Sequence, residues 1–402
     1  MDYSKNLNYS LLKDLLSEEI QDYINKNLEV SISQLALQKN PFPDLNWKEI
    51  LNQIEAKIKA KEKLPTWFSS KNIIYPSKIA VEQTSSEKTA LYKSNLINGE
   101  KIIDLTGGFG IDTFYFSKHF KQVIHCEHNS ELSEMVKHNF SQLNAENIKC
   151  ISGESEAALK ALNEQFDWIY IDPSRRNDAK GKVFMLHDCE PNVPDLLDFY
   201  FNYSSKILVK TAPLLDLTAG LKELKNVSAI HIVALENEVK EILWEIHQGF
   251  EGNPKIKSIN LTKNNEENFE FKLNETAIKI NYGEPKKFLY EPNAAIMKSG
   301  GFDEVAFQFN LTKLHPHSHL YTSDEKIDFC GRVFEITTVF PYQKKEMKLH
   351  LENKKANITT RNFPETVEII RKKWKIKEGG NVFTFFTTDL KNNKIVLLCT
   401  KI

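Results

Sequence analysis

The feature that most constrains the fold lies between about residue 75 and residue 250. Here short runs of β-branched residues alternate with amphipathic stretches of about 10–15 residues, a pattern typical of βαβ units. Such units build a parallel sheet covered by helices. We predict five parallel strands, at residues 101–106, 122–127, 147–152, 167–172 and 206–210. Two further runs, at residues 228–235 and 241–248, flank a short polar turn and predict a closing antiparallel hairpin.

The regions on either side have other patterns. From Tyr9 to about Lys63 apolar residues recur every three or four positions, which predicts helices. Beyond residue 254 short strands and turns are predicted, with one helix at residues 364–376. We therefore predict four parts: a helical region, an α/β domain, a small α+β segment and a C-terminal α+β domain. Their predicted bounds are residues 1–74, 75–252, 253–325 and 326–402.

Composition excludes several classes of protein. The 402 residues are 41% apolar and contain only 15 glycines and 14 prolines, which excludes collagen-like and disordered chains. No apolar run approaches the roughly 18 residues of a membrane span, and the first residues do not resemble a secretion signal. The five cysteines contain no CxxC pair, so neither a disulfide framework nor a cysteine zinc site is predicted. We expect a soluble, cytoplasmic protein without a membrane partner.

Charge is distributed unevenly along the chain. Residues 341–402 contain 14 basic and 6 acidic side chains, whereas residues 1–252 contain 28 and 36. A basic C-terminal domain is suited to binding a polyanion, although a lysine-rich solvated surface has the same composition. The densest basic patch is Arg371, Lys372 and Lys373 on a predicted helix. Next to it, Trp374 could stack on a base or anchor the core.

A glycine-rich turn follows the first predicted strand. Gly107, Gly108 and Gly110 lie between residues 101–106 and a segment with helical spacing. Glycines here let the backbone approach a ligand closely, and the next helix would present free N–H groups. A doubly wound domain needs tight turns at such junctions in any case, so the turn alone predicts only a nucleotide-like ligand.

Acidic residues follow successive strands. Asp104 lies in the first strand, where it could meet a cationic amino acid moiety. Glu127 ends the second strand and could accept hydrogen bonds from both ribose hydroxyls. Glu154 follows the third and could accept from an adenine amino group. Each acid alone could be a helix cap or a surface carboxylate. Together they disfavour a pyrophosphate and favour a cationic nucleoside, which predicts S-adenosyl-L-methionine as the cofactor.

The order DLTGGFGID, CE, GE and IDPSRR, closed by a hairpin, resembles the class I S-adenosylmethionine-dependent methyltransferases. With EQTSSEKTALYK and NFPETVEIIRKKWKIKEGG, the chain looks like bacterial members that carry a small ferredoxin-like segment and a THUMP-like domain at the C-terminus. The resemblance covers about residues 65–402. It implies a Rossmann-like domain at residues 75–252, a ferredoxin-like segment at residues 253–325 and a THUMP-like domain at residues 326–402. It also implies methyl transfer to structured RNA, either tRNA or rRNA, and gives no indication of DNA.

The residues predicted to bind the cofactor are Gln83, Asp104, Thr106, Gly107, Gly108, Gly110, Asp112, Glu127, His128, Glu154 and Asp172. Gln83, together with Ser85, could close over the methionine end of the cofactor. The alternative for this pair is to cap the following helix.

The DPSRR loop is the predicted catalytic element and comprises Asp172, Pro173, Ser174 and Arg175. In related nucleic-acid amino-methyltransferases this loop has a second proline and an aromatic residue where Ser174 and Arg175 stand. Asp172 could orient or deprotonate an acceptor nitrogen. Arg175 and Arg176 could bind phosphate or carboxylate, or could pair with Asp188 and Glu190. The predicted substrate-binding residues are Arg175, Arg176, Lys210, Arg371, Lys372 and Lys373.

Other chemistries are less consistent with the sequence. Cys189 lies 17 residues after Asp172 between two acidic residues, which disfavours a thiolate nucleophile. His315, His317 and His319 would share one face of a strand, but Pro316 interrupts them and we predict no metal site. Two alternatives to a base-nitrogen RNA methyltransferase stay open. One is a methyltransferase of a small molecule or protein, and the other is a non-catalytic RNA-binding protein with a cofactor pocket.

Overall fold

The structure is a computed structural model that describes residues 14–175, 185–274 and 279–402. The chain forms two compact units. The first comprises Met1–Ser228 and Leu243–Glu251, and the second comprises Ala229–Ile242 and Gly252–Ile402. Within the described residues, no helix is both long and apolar enough to span a bilayer.

The first unit begins with the predicted helices. They are α1 (Glu18–Lys26), α2 (Ile32–Ala36), α3 (Trp47–Lys63), α4 (Pro65–Ser69), α5 (Lys78–Gln83) and α6 (Glu87–Leu96). The side chain of Asn46 caps α3 by accepting a hydrogen bond from the backbone N–H of Lys48, and Pro65 follows where α3 ends. The buried Trp67 of α4 packs edge to face on Phe114, so these helices share a core with the sheet domain.

The sheet domain of the first unit contains strands β1 (Lys101–Asp104), β2 (Gln122–Glu127), β3 (Ile148–Ser152), β4 (Trp168–Ile171), β5 (Ser174–Arg175), β6 (Cys189–Glu190) and β7 (Lys206–Thr211). The order β7-β4-β1-β2-β3 is parallel throughout, which confirms the five predicted parallel strands. Strands β5 and β6 form a separate short antiparallel pair. The helices are α7 (Ile111–Phe116), α8 (Ser130–Gln142), α9 (Ser155–Leu162), α10 (Val193–Tyr200) and α11 (Leu217–Glu223), with a 3₁₀ turn at Leu186–Asp188.

The predicted hairpin consists of β8 (Val227–Leu235) and β9 (Glu238–His247). Glu236 and Asn237 join the strands with φ values of 50° and 66°. Two consecutive positive φ values are typical of the tight turns that suit the right-handed twist of a hairpin. Strand β8 also pairs in parallel with β10 (Lys255–Leu261), which pairs with β11 (Glu266–Lys272) in antiparallel fashion.

The rest of the second unit is built around one eight-stranded sheet. Its strands are β12 (Asn281–Tyr282), β13 (Phe288–Pro292), β14 (Thr312–Lys313), β15 (Tyr321–Ser323), β16 (Gly331–Pro341), β17 (Asn357–Thr360), β18 (Val382–Thr388) and β19 (Lys394–Lys401). The helices are α12 (Ala294–Ser299), α13 (Phe302–Gln308), α14 (Lys344–His350) and α15 (Val367–Trp374). The strand order is β12-β14-β15-β13-β16-β19-β18-β17. Because β13 pairs with β16, the sheet includes strands from both predicted C-terminal parts, residues 253–325 and 326–402. The bounds of the four predicted parts stay predictions.

Candidate active site

Four charged residues lie at or just beyond the carboxyl ends of parallel strands. Asp104 ends β1, Glu127 ends β2, Asp172 follows β4, and Lys210 is the penultimate residue of β7. These strands are neighbours in the order β7-β4-β1-β2, so their carboxyl ends form one edge of the sheet. Ligands of open α/β sheets bind outside this edge. The candidate site therefore lies entirely within the first unit.

Asp104 is the most deeply buried acid of the site. One carboxylate oxygen accepts the backbone N–H of Thr106 at 3.0 Å, and the other accepts the Thr113 hydroxyl at 2.6 Å. Burial raises the pKa of Asp104 to about 7, against the opposing effect of these hydrogen bonds. Among the described residues no cation pairs with Asp104. A positively charged ligand group would therefore compensate its charge.

Thr106 links the first strand to the predicted catalytic loop. Its hydroxyl oxygen accepts the backbone N–H of Asp172 at 2.7 Å. The Asp172 carboxylate accepts a hydrogen bond from the Lys210 ammonium group and forms an ion pair with it. The Lys210 side chain is 13% exposed and that of Asp172 is 36% exposed. Lys210 thus lies at the site, where it contacts the predicted catalytic carboxylate.

Internal packing explains two glycines of the turn. A Cβ on Gly107 would lie 2.2 Å from the ring of the buried His125. Gly110 has a φ of 79°, and a Cβ there would lie 2.6 Å from Phe140. Gly108 also has a positive φ, but a Cβ there would meet no atom closer than 3.7 Å. Of the three glycines, only Gly108 has room beside its backbone.

Glu127 is held rigidly beside the glycine turn. Its two carboxylate oxygens accept the backbone N–H groups of Gly108 at 2.9 Å and Asn129 at 2.8 Å. The Nδ1 atom of the exposed His128 lies 3.1 Å from the same carboxylate. A carboxylate oxygen has two acceptor positions, so Glu127 retains capacity for ligand hydroxyls.

Asp112 belongs to a buried polar cluster that the sequence analysis found only in part. The Ser85 and Tyr170 hydroxyls each donate to one carboxylate oxygen at 2.8 Å, and the Lys93 ammonium group lies 3.2 Å from the other. Burial by itself would raise the pKa of Asp112, but Lys93 and Lys210 hold it below its usual value. Lys93 was missed because a lysine in a helical segment resembles an ordinary surface residue.

The remaining predicted cofactor residues are more exposed. Gln83 is the exposed last residue of α5, whereas Ser86, not Ser85, caps α6. Glu154 is exposed and precedes α9 without forming a side-chain cap. Both side chains are accessible to a ligand, and their predicted contacts with the cofactor stay predictions.

The DPSRR loop is described only as far as Arg175, and Arg176 lies outside the described residues. Ser174 and Arg175 form β5, where Arg175 is paired with Cys189 of β6. Cys189 is fully buried, and this burial raises the pKa of its thiol to about 11. Because the thiolate is the reactive form, the structure disfavours Cys189 as a nucleophile, as the sequence does.

The predicted basic helix α15 lies in the second unit. The Lys373 ammonium group donates to Glu365 at 2.9 Å and to the Tyr342 hydroxyl at 3.2 Å. Trp374 is 7% exposed and its indole N–H also donates to Tyr342, so it is a core anchor. Arg371 is half-buried and donates to a backbone carbonyl, while Lys372 is exposed. Lys372 and Lys373 are thus both exposed, and Lys373 is engaged with Glu365 and Tyr342.

Three family models match segments of the chain. The model described as conserved hypothetical protein 95 matches residues 81–186. A ferredoxin-like domain matches residues 288–329, and a THUMP domain-like model matches residues 331–401. No curated protein matches the sequence.

Among solved structures, the chain is similar to a candidate methyltransferase from Porphyromonas gingivalis W83. The identity is 32%, the match covers 97% of this chain and 98% of that chain, and the TM-score is 0.86. An rRNA methylase from Streptococcus thermophilus is 14% identical, with 40% and 93% coverage and a TM-score of 0.29. A candidate methyltransferase from Streptococcus mutans, solved with SAH, is 15% identical, with 40% and 96% coverage and a TM-score of 0.30. The P. gingivalis match shows that this chain belongs to the class I methyltransferase family that carries a ferredoxin-like segment and a THUMP-like domain at the C-terminus.

Proposed function

We propose that this protein is an S-adenosylmethionine-dependent methyltransferase that modifies structured RNA, tRNA or rRNA, at a base nitrogen. The observation that carries the proposal is the row of acids at the carboxyl edge of the sheet. Asp104, Glu127 and Asp172 lie at or just beyond the carboxyl ends of β1, β2 and β4, and Asp104 is buried without a cationic partner among the described residues. This set of carboxylates favours a nucleoside with a positive charge over a pyrophosphate.

The residues present fit the proposed cofactor. S-adenosylmethionine supplies a methyl group on a positively charged sulfur and carries an ammonium group on its amino acid moiety. Asp104 would accept from that ammonium group, Glu127 from the ribose hydroxyls and Glu154 from the adenine amino group. Gly108, which has space beside its backbone, would let the ligand approach the turn. The remaining predicted cofactor contacts, at Gln83, Thr106, Gly107, Gly110, Asp112, His128 and Asp172, belong to the same proposal.

Asp172 would act on the acceptor. It would hold the nitrogen so that the nitrogen lone pair faces the methyl carbon, in line with the carbon–sulfur bond. As the new carbon–nitrogen bond forms, the carbon–sulfur electron pair would leave with sulfur. The nitrogen would lose its proton to the Asp172 carboxylate. Lys210, hydrogen-bonded to this carboxylate, would fix its position.

The second unit supports RNA as the substrate class. Residues 331–401 match a THUMP domain-like model, and residues 341–402 contain 14 basic and 6 acidic side chains. Clustered cations bind the phosphate backbone and release its counterions. Arg175 and Arg176, together with Lys210, Arg371, Lys372 and Lys373, are the proposed substrate-binding residues. Lys372 is exposed on its helix.

The test is transfer of label from methyl-labelled S-adenosylmethionine. The purified protein is incubated in parallel with total bacterial RNA, total protein and a small-metabolite fraction. We expect label in RNA, lost in Asp172→Ala, while calorimetry shows that the variant retains most of its cofactor affinity. Label only in protein or metabolites would show that the substrate belongs to that class and not to RNA. Cofactor binding and RNA binding without label in any fraction would favour the non-catalytic alternative.

A further inference from the structure

Two arginines of the second unit share one buried carboxylate. Glu291 of β13 is only 2% exposed, and its two oxygens are occupied by different guanidinium groups. Arg332 of β16 donates through Nε and Nη2 to one oxygen. Arg361, just after β17, donates through Nε at 3.1 Å and Nη2 at 2.8 Å to the other. The carboxylate thus fixes both guanidinium groups side by side.

This arrangement leaves excess positive charge at the surface. One carboxylate neutralises one of the two guanidinium groups, so the triad carries a net charge of +1. The side chains of Arg332 and Arg361 remain 36% and 32% exposed. A guanidinium group has five N–H donors, and each arginine uses only its Nε and one Nη2 donor on Glu291. Within the part of the chain that the structure describes, neither Nη1 group has a hydrogen-bond partner, which leaves these groups for an anion.

The histidine loop that follows β14 lies next to Arg361. His315 is 8% exposed, and its Nδ1 atom accepts the backbone N–H of His317 at 3.0 Å. The side-chain amide of Asn362, the residue after Arg361, lies 3.0 Å from the same Nδ1. An Nδ1 atom that accepts a hydrogen bond carries no proton, so the Nε2 atom of His315 carries the N–H. The His317 side chain is exposed, with its ring centroid 5.5 Å from that of His315.

The electrostatic surroundings of His319 are consistent with a positively charged cluster. Burial, followed by the nearby charges of Lys313, Arg361 and His317, lowers the pKa of His319 to about 4, against the opposing charge of Asp303. Lys313 is itself buried and pairs with Asp303 at 2.8 Å. The cations thus outweigh this acid at His319.

We propose that Arg332 and Arg361, fixed side by side on Glu291 and flanked by His315 and His317, form a contact site for the RNA phosphate backbone. We call these residues the arginine–histidine site. The proposal rests on the proposed function, because it takes RNA as the substrate. It adds a second set of contacts, distinct from the basic helix around Lys372.

The chemistry of the site favours phosphodiester groups. Guanidinium groups bind phosphate oxygens in a bidentate way, and a neutral imidazole N–H adds a further donor. The ring of Phe334 is fully buried and Arg332 lies over it, with 5.5 Å between guanidinium carbon and ring centroid. Contacts to phosphate groups would position the RNA without reading its sequence.

The test compares RNA affinity across a salt series for four variants. Arg332→Gln and Arg361→Gln each remove one cation, and the remaining arginine still pairs with Glu291. His317→Glu adds a negative charge to the site without touching Glu291. Lys263→Glu, at an exposed lysine between β10 and β11, is the control for a larger change of surface charge elsewhere in the second unit. The probes are bulk bacterial tRNA and rRNA, with inorganic phosphate as a separate ligand, and thermal unfolding verifies that every variant folds.

We expect each arginine variant to weaken RNA binding about fivefold near 0.15 M salt and to lower the salt slope by about 1. His317→Glu should weaken RNA binding comparably, whereas Lys263→Glu should leave RNA affinity unchanged. Cofactor affinity should be unchanged in all four variants. If the wild type binds RNA and none of the three site variants changes the affinity, the arginine–histidine site is overturned but the proposed function stands. Binding of inorganic phosphate alone, without an effect on RNA affinity, would also overturn it. Absence of both RNA binding and RNA labelling in the wild type would overturn the proposed function as well.

Discussion

Lys210 and Asp172 form an ion pair across neighbouring parallel strands, at the edge where β7 and β4 end. The lysine is nearly buried and the carboxylate is more than one third exposed. The cation therefore supports the carboxylate from the protein side, and the carboxylate remains accessible from the solvent side. This geometry assigns Lys210 a positioning role toward Asp172 in the proposed reaction.

Replacing Lys210 should affect the rate more than cofactor binding. Lys210→Met leaves Asp172 without its partner, and loss of alignment costs about 10²-fold in rate. We expect this decrease in single-turnover methyl transfer, with cofactor affinity by calorimetry within about twofold of wild type. Lys206→Met, at the exposed start of the same strand, is the matched control and should leave the rate unchanged. A variant at position 210 with the wild-type rate would remove Lys210 from the mechanism.

Asp104 predicts a pH dependence of cofactor binding. Burial raises the pKa of its carboxyl to about 7, and a bound ammonium group would favour the ionised form. Affinity for S-adenosylmethionine should therefore fall as the pH decreases below 7, by up to about tenfold per pH unit. Calorimetry near pH 6.5, in buffers of different ionisation enthalpy, should detect proton release on binding. Asp104→Asn should bind weakly without this pH dependence, and a flat wild-type profile would refute the assigned contact.

Asp104 also predicts how the free energy of unfolding changes with pH. The pKa of Asp104 is raised in the folded state, so between about pH 4 and pH 7 the folded chain holds a proton that the unfolded chain releases. The contribution of this group to the free energy of unfolding is therefore greatest at low pH and is lost as the pH rises toward 7. In urea unfolding without cofactor, Asp104→Asn should gain stability relative to wild type as the pH increases over this range. A constant difference would contradict the prediction.

Alanine variants of two glycines separate the cost of a steric clash from the cost of backbone strain at the glycine turn. Gly110 and Gly249 have φ values of 79° and 78°, but a Cβ at Gly110 meets Phe140 whereas at Gly249 it meets nothing within 4 Å. Gly249→Ala should cost about 1 kcal/mol from backbone strain alone. Gly110→Ala should cost about 1–3 kcal/mol more, because Phe140 must move. Denaturant unfolding of both variants measures the difference, and equal losses would show that Phe140 shifts freely.

Much of the α/β domain could be predicted from the sequence because its strands are short apolar runs between amphipathic helices. The predicted strand at residues 122–127 agrees residue for residue with β2. Helix ends were less predictable: α9 stops at Leu162 because Asn163 adopts a left-handed conformation. The pairing of β10 with β8 was not predicted, since a parallel partner more than 20 residues away leaves no local pattern. The Lys93–Asp112 pair was not predicted either, because a lysine in a helical segment resembles an ordinary surface residue.

That pair supports the last prediction. Lys93 is completely buried, and the Asp112 carboxylate beside it also accepts hydrogen bonds from the Ser85 and Tyr170 hydroxyls. Lys93→Met removes the ammonium group that lies 3.2 Å from this buried carboxylate, so it should cost about 3–5 kcal/mol in urea unfolding. Lys93→Met combined with Asp112→Asn removes both charges and should recover most of this loss, because the amide still accepts a hydroxyl hydrogen bond. If the double variant is as unstable as the single one, the loss arises from packing around Lys93 rather than from the unpaired charge.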